Sequence, residues 1–202
     1  GKRQAAIDLD VPAEAEQLRE LVRGADVFSQ GFQHRSLARR GFGLEQVAAL
    51  RPGIIYVSEN AFGHEGPWAE RPGWEQLAQA ATGVAVTHGV ERPALAPAAL
   101  NDYTTGYFAA LGTMMALRRR AVEGGSWSVR VSLSQTSMWY YRLGHELDRG
   151  AAGGLGDTAP LLDERDTPWG YMTYLRPPLR MSETPPRWEL PAQRLGSGKA
   201  EW

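Results

Sequence analysis

The chain has 202 residues, of which 43% are hydrophobic and 22% are charged, as in ordinary globular proteins. Its 22 basic and 23 acidic residues nearly cancel, so overall charge gives no reason to expect a nucleic acid or an anionic membrane as a partner. It contains no cysteine, which excludes disulfides, thiolate zinc sites and a cysteine nucleophile, and this composition predicts a cytoplasmic protein.

The first half of the chain alternates between predicted strands and predicted helices. Short segments at residues 5–9, 26–29 and 54–57 predict strands. The first alternates between apolar and polar side chains, and the third is apolar throughout, as in a strand covered on both faces. Residues 12–23 and 44–50 carry apolar positions at helical spacing. Strands separated by helices indicate crossover connections, so the sequence predicts an α/β fold with a Rossmann-like parallel sheet flanked by helices.

The second half begins with a loop rich in glycine and proline at residues 63–73, followed by two predicted helices. Residues 74–82 form the first helix and residues 103–120 the second, which is the longest in the chain. The longer helix carries one apolar stripe, made by Tyr107, Phe108, Leu111, Met114 and Met115. Residues 127–133 alternate between apolar and polar side chains, which predicts a strand with one face in water, near the edge of the sheet.

The composition changes from residue 150 onward. Residues 151–156 are typical of a linker, and the remainder is rich in proline and has little periodicity. We therefore predict an α/β domain over residues 1–149, and a linker with an extended C-terminal tail over residues 150–202 that packs on it. Large apolar residues are expected to anchor this tail, namely Trp169, Tyr171, Leu175, Leu179 and Trp188.

Asp102 lies just before the longest predicted helix and is the first candidate for chemistry. One interpretation is structural, because aspartate is a preferred N-cap whose side chain accepts hydrogen bonds from free amides. The other is a carboxylate that the positive end of the helix keeps ionised, so that it can act as a nucleophile. Glu75, at the start of the preceding helix, is either a partner of the helix dipole or a second carboxylate that steers substrate or tunes charge near Asp102.

Other motifs, present or missing, indicate which ligands and reactions the chain could support. The turn at residues 62–68 follows a buried strand, where ligands bind in parallel sheets, although most such turns only connect elements. Glycine motifs for dinucleotides or phosphates follow none of the predicted strands, and no serine stands in a nucleophile elbow. Arg35, Arg39 and Arg40 are either a solvated helix face or a phosphate contact. No metal site is predicted from the histidines, which are His34, His64, His88 and His145.

Several short segments resemble those of one known family. Their order along the chain is a more specific sign of that family than any single segment. They are residues 1–3 and 7–10, 25–27 with Phe32 and Arg39, 54–58, 62–63 and 66–67, 72–75, Asp102 with 105–106, 129–133, 184–185 and 195–196. In this order they resemble the class III CoA-transferase family, the group that includes formyl-CoA transferase, the CaiB/BaiF proteins and α-methylacyl-CoA racemase.

The resemblance implies a mechanism. In that family an aspartate at the position of Asp102 attacks an acyl-CoA thioester, and CoA then passes through an aspartyl-CoA thioester to a second acid. The implied function is therefore a CoA transferase with Asp102 as its nucleophile and Glu75 as an acidic residue beside the site. Its substrates would be a CoA thioester and a carboxylic acid, with no permanently bound cofactor.

The resemblance also implies CoA contacts from four residues, which are Lys2, Phe32, Arg39 and Trp74. Trp74 stands where racemases carry their histidine base, which argues against the alternative of an acyl-CoA racemase or isomerase. The chain begins where the family's second strand begins, and residues 140–175 replace most of the small domain, so we expect a shortened member. Because family members are interlocked dimers, the partner would be a second copy, or a complementary chain if this one is a non-catalytic half-subunit.

Overall fold

The structure is a computed structural model that describes residues 1–33, 35–89, 91–144 and 156–202, with only the backbone of His88. Most of the predicted linker and two of the histidines, His34 and His145, lie outside the described residues. Contacts divide the chain into two units, the described residues of 22–145 and those of 1–21 with 146–202. The domain boundary at residue 149 stays a prediction.

A three-stranded parallel sheet is the centre of the unit formed by residues 22–145. Its strands are β1 (Val27–Gln30), β2 (Ile55–Asn60) and β3 (Trp127–Ser132), in the order β1-β2-β3. Val27 pairs with Ile55, which in turn pairs with Trp127. The predicted α/β fold is confirmed, including the buried central strand and the half-wet strand at the edge.

Seven α-helices are formed by the described residues. They are α1 (Pro12–Gly24), α2 (Ser36–Arg39), α3 (Leu44–Leu50), α4 (Glu75–Ala81), α5 (Val84–His88), α6 (Leu100–Glu123) and α7 (Leu133–Arg142), and Ala159–Leu161 forms a short 3₁₀ helix. Of these, α3, α6 and α7 pack against the strands. The four helices expected from the sequence are confirmed, and α2, α5 and α7 are additional. None of the described helices is both long and apolar enough to cross a membrane.

The long helix α6 packs on the sheet through small residues. Ala116 is buried against Ile55 and Val57, and Gly112 lies so close to β3 that an added Cβ would come within 2.7 Å of a Val129 methyl carbon. Arg120 donates to the Gly53 carbonyl, just before β2, so α6 ends at the amino ends of the strands. Its first turn therefore lies beyond their carboxyl ends, where ligands bind in parallel sheets.

The apolar stripe of α6 faces away from the sheet. Phe108 is half-buried, but the remaining members are exposed, namely Tyr107, Leu111, Met114 and Met115. The stripe therefore contributes little to the core of this unit.

The second unit contains an antiparallel hairpin that the sequence analysis did not predict, made by β4 (Leu162–Thr167) and β5 (Gly170–Leu175). The strand expected at residues 5–9 is wrong, because Ala5 alone forms an isolated bridge with Gly198. The residues predicted to anchor the tail are not buried. All five are exposed, namely Trp169, Tyr171, Leu175, Leu179 and Trp188.

Candidate active site

Asp102 does not act as the N-cap of α6. The helix begins at Leu100, with Ala99 at the N-cap, so Asp102 is the third helical residue. Its side chain is exposed and accepts no hydrogen bond from the residues that the structure describes. The structural interpretation of Asp102 as a capping residue is therefore wrong.

Glu75, the first residue of α4, takes over this capping role. It is only 3% exposed, and its two carboxylate oxygens accept hydrogen bonds from the backbone N–H groups of Asn101 at 3.2 Å and Asp102 at 2.9 Å. The amide of Gln79 donates to the same carboxylate at 2.5 Å. A buried carboxylate from one helix thus satisfies free amides in the first turn of another and fixes the backbone of Asp102.

Helix α7 holds the same turn from a second direction. Ser137 donates to the side-chain oxygen of Asn101 at 2.9 Å, and the hydroxyls of Thr105 and Thr136 lie 2.7 Å apart. Because all four of these residues are buried, water does not compete for the bonds. The backbone around Asp102 is therefore fixed on two sides while its carboxylate stays in solvent.

Glu59 adds a third carboxylate to this edge of the sheet. It is half-buried near the end of β2, on the face that carries Ile55 and Val57 and packs against α6. Burial, and then repulsion by Asp102, raise the pKa of Glu59 above its ordinary value. Although Asp102 is exposed, partial burial of its carboxylate, and then repulsion by Glu75, likewise raise its pKa. Sequence reasoning missed Glu59, although its place directly after a buried apolar strand was a usable signal.

Two cavities open at the carboxyl ends of β2 and β3. The larger, about 460 Å³, reaches Phe108 on α6 and Trp139 on α7. The smaller, about 190 Å³, is lined by Phe32 and Glu59 among others. His64 and Arg130 line both cavities, whereas Asp102 is not among the residues that line either one. Glu59 lines the smaller cavity and is repelled by Asp102, so Asp102 lies near this cavity without lining it.

Of the four expected CoA contacts, Phe32 lines one of these two cavities and the other three line neither. Phe32 is 63% exposed at the rim of the smaller cavity, and Trp74 is 58% exposed directly before Glu75. Arg39 is exposed at the end of α2 and is not among the residues that line the two cavities. Lys2 is exposed and belongs to the other unit. Their contacts with CoA stay predictions. The described residues contain no group of three or more side chains suited to a metal ion.

A family model for CoA-transferase family III matches residues 1–154. The chain belongs to this family. Residues 1–154 contain the strands β1–β3, Glu75 and Asp102, so the resemblance inferred from the order of motifs is confirmed.

Two relatives show how much of a longer CoA-transferase the chain resembles. An acyl-CoA transferase from Gibberella moniliformis is 40% identical over 148 residues, which cover 68% of this chain and 26% of that protein. The succinyl-CoA–L-malate CoA-transferase β subunit of Chloroflexus aurantiacus is 30% identical over 61% of this chain and 31% of its own length. The chain thus spans about a quarter to a third of these relatives.

The fold comparison agrees with the sequence comparison. A solved CaiB/BaiF family protein from Brucella suis superposes with a TM-score of 0.68 and 26% identity, covering 85% of this chain and 47% of that one. The α/β architecture of the family III chain is therefore that of CaiB/BaiF proteins.

Proposed function

We propose that this family III chain moves CoA between carboxylic acids in the cytoplasm, with Asp102 as the covalent nucleophile. The observation that supports it most is that two different carboxylates lie at the start of α6, and only one of them caps the helix. Glu75 caps the helix, which leaves the exposed Asp102 carboxylate without a hydrogen-bonding task among the described residues. A carboxylate held at a fixed position and open to solvent is suited to nucleophilic attack.

The proposed reaction exchanges one nucleophile for another at each step. An oxygen of Asp102 attacks the thioester carbonyl carbon, the C–S bond breaks, and CoA leaves as a thiolate, which gives a mixed anhydride. The thiolate then attacks the Asp102 acyl carbon, releasing the donor acid as a carboxylate and leaving an aspartyl-CoA thioester. The acceptor carboxylate reverses these steps, forming the new acyl-CoA and freeing Asp102. No net proton or electron is consumed.

The neighbouring negative charges favour acylation of the Asp102 carboxylate. Burial, and then repulsion by Glu75, raise its pKa, so its carboxylate is more basic than an ordinary aspartate. Acylation converts this anion into a neutral anhydride or thioester, which removes its repulsion with Glu75 and Glu59. The free carboxylate is thus destabilised relative to the intermediates.

The four expected CoA contacts would hold the CoA moiety. Phe32 and Trp74 offer exposed aromatic rings on which an adenine ring can stack. Arg39 and Lys2 are exposed cations that suit phosphate groups. These four contacts remain part of the proposal, with CoA entering as a substrate and not as a resident cofactor.

Mass spectrometry of the protein incubated with a panel of acyl-CoAs tests this proposal. We expect an acyl or CoA adduct on the peptide that contains Asp102, and its loss in Asp102→Ala. Asp163→Asn, an exposed aspartate in the β4–β5 hairpin, serves as the control and should keep the adduct. An adduct of equal yield in Asp102→Ala would contradict the assignment of the nucleophile.

A second candidate function is a half-subunit that requires a partner chain. It is favoured by the exposed apolar stripe of α6, because apolar surface of this kind marks interaction sites. The partner would be a second copy of the chain or a complementary subunit. Light scattering of the protein and of Leu111→Glu tests this, since the substitution places a charge within the stripe. A monomer that completes CoA transfer alone would exclude the half-subunit.

The racemase alternative is addressed by isotope exchange. Trp74 has no group that can accept a proton from an α-carbon, so we expect no exchange of deuterium from solvent into a 2-methylacyl-CoA. Exchange catalysed by the protein would favour a racemase over a transferase.

A further inference from the structure

Arg130 occupies an unusual position between the two cavities. It lies on the edge strand β3, where it is paired in register with Ser58 of β2. Its side chain is exposed and lines both the larger and the smaller cavity. Among the described residues, no carboxylate forms a salt bridge with its guanidinium.

Arg35 and Glu65 are also charged residues that line the cavities. Arg35, which lines the smaller cavity, forms an ion pair with Glu70 at 3.5 Å. Glu65 lines the larger cavity, but no salt bridge joins it to Arg130 within the described part of the chain. Arg130 is thus an arginine that lines both cavities and forms no salt bridge with any described residue.

His64 stands beside Arg130 in the lining of both cavities. One of its ring nitrogens lies 3.0 Å from the hydroxyl of Ser58, which orients the ring. The loop that carries His64 is tied down by Asn60, whose side chain accepts from the Gly63 amide at 2.7 Å and donates to its carbonyl at 2.9 Å. An arginine fork and a positioned imidazole can both donate hydrogen bonds to an anion.

The electrostatics of the proposed reaction create a need for such a cation. Glu59, Glu75 and Asp102 concentrate negative charge where the thioester would react. Both substrates are anionic, since acids at neutral pH are carboxylates and CoA carries phosphates. Repulsion from the three carboxylates would disfavour binding unless a nearby positive group holds the substrate's own charge.

We propose that Arg130, with His64 beside it, forms an anion-binding subsite that holds a negatively charged group of the substrate away from the reacting carbonyl. This inference rests on the proposed function. The group is either the distal carboxylate of a dicarboxylic acid or a phosphate of CoA, which share the chemistry of planar or tetrahedral oxyanions that an arginine fork recognises.

Calorimetric binding with matched probes tests the subsite. Glutarate is compared with butyrate, and CoA with dephospho-CoA, for wild type, Arg130→Gln and Arg118→Gln. Arg118 is also exposed and lies near the far end of α6, so its substitution removes the same charge outside both cavities. We expect Arg130→Gln to weaken binding about 10- to 100-fold, as for loss of a charge-assisted hydrogen bond, and Arg118→Gln to change it by about twofold at most.

The probes also identify the source of the anion. A loss confined to glutarate assigns the subsite to a distal carboxylate, and a loss seen with CoA but not with dephospho-CoA assigns it to the 3′-phosphate. Arg130→Lys keeps the charge and should recover part of the affinity, and circular dichroism verifies that each variant is folded. Equal binding by Arg130→Gln and Arg118→Gln, or no binding of any probe by the wild type, would overturn the proposal.

Adduct formation separates this proposal from the proposed function. In Arg130→Gln the Asp102 adduct should still form when acyl-CoA is saturating, with a higher concentration needed for half-maximal yield. An adduct that is absent in the wild type would refute the role of Asp102, while anion binding would still decide the role of Arg130.

Discussion

Substituting Glu75 with alanine tests whether a buried carboxylate holds the first turn of α6. The change removes the acceptor for three donors, which are the backbone amides of Asn101 and Asp102 and the side-chain amide of Gln79. Glu75 itself is 3% exposed, so water reaches these donors poorly after the substitution. The first turn of α6 would lose its cap from α4.

The expected cost is a large fraction of the protein's stability. Each buried donor left without a partner costs about 1–3 kcal/mol, but relaxation of the site and release of the buried charge return part of this. We therefore expect a loss of about 3–5 kcal/mol, against about 5–15 kcal/mol for the total stability of a typical domain. Glu75→Gln keeps one acceptor oxygen but turns a second donor toward the amides, so its loss should be about 1–3 kcal/mol.

Urea denaturation followed by circular dichroism measures these losses. Glu45→Ala is a matched control, because Glu45 also lies in the first turn of a helix but is exposed. Its carboxylate interacts mainly with the helix dipole, so its loss should cost about 0.3–1 kcal/mol. If Glu75→Ala cost no more than Glu45→Ala, the capping role of Glu75 and the argument for a free Asp102 would both fail.

Three further substitutions probe the same region. Asp102→Asn should abolish the adduct without lowering the melting temperature, because the raised pKa of Asp102 shows that folding disfavours its charge; a fall of several degrees would contradict this. Asp102→Ala removes the charge that repels Glu59, so the pKa of Glu59, followed by NMR, should fall; a pKa that stays fixed or rises would refute the coupling. Gly112→Ala should be less stable to urea than Gly106→Ala by about 1–3 kcal/mol, because only the Gly112 Cβ meets Val129; equal stabilities would refute close helix–sheet packing.

The sheet was predictable because its signals are local. The run of apolar residues at 54–57 reports a strand covered on both faces, and the structure buries it between β1 and β3. The alternation at residues 127–133 reports one wet face, and β3 lies at the edge. In both cases the environment of each side chain follows from the two-residue period of a strand.

The secondary-structure prediction failed in two places. In one, a strand-like segment had no neighbouring strand to pair with, and in the other the turn between two strands was overlooked. Residues 5–9 alternate like a strand but form only one bridge, because an extended segment becomes a strand only beside another. The hairpin at residues 162–175 carried a signal in Pro168 and Gly170, since Gly170 adopts a φ of 103° that favours glycine at a turn.

The capping of α6 could not be read from the sequence, because it is tertiary. Both Glu75 and Asp102 stand in first turns, and propensity assigns each of them to its own helix dipole. The cap instead joins residues that are 26 and 27 positions apart. Only the packing of α4 beside α6 decides which carboxylate is buried and which remains in solvent.

The positioning of Asp102 therefore depends on a small set of neighbours within one unit. Glu75 from α4, Thr136 and Ser137 from α7 and Glu59 from β2 all lie in residues 22–145. Covalent capture by Asp102 should thus require this unit alone, whereas the expected phosphate contact of Lys2 belongs to the other unit. An Asp102 adduct that forms without completing CoA transfer would place the missing function in substrate binding or in a partner, and not in the nucleophile.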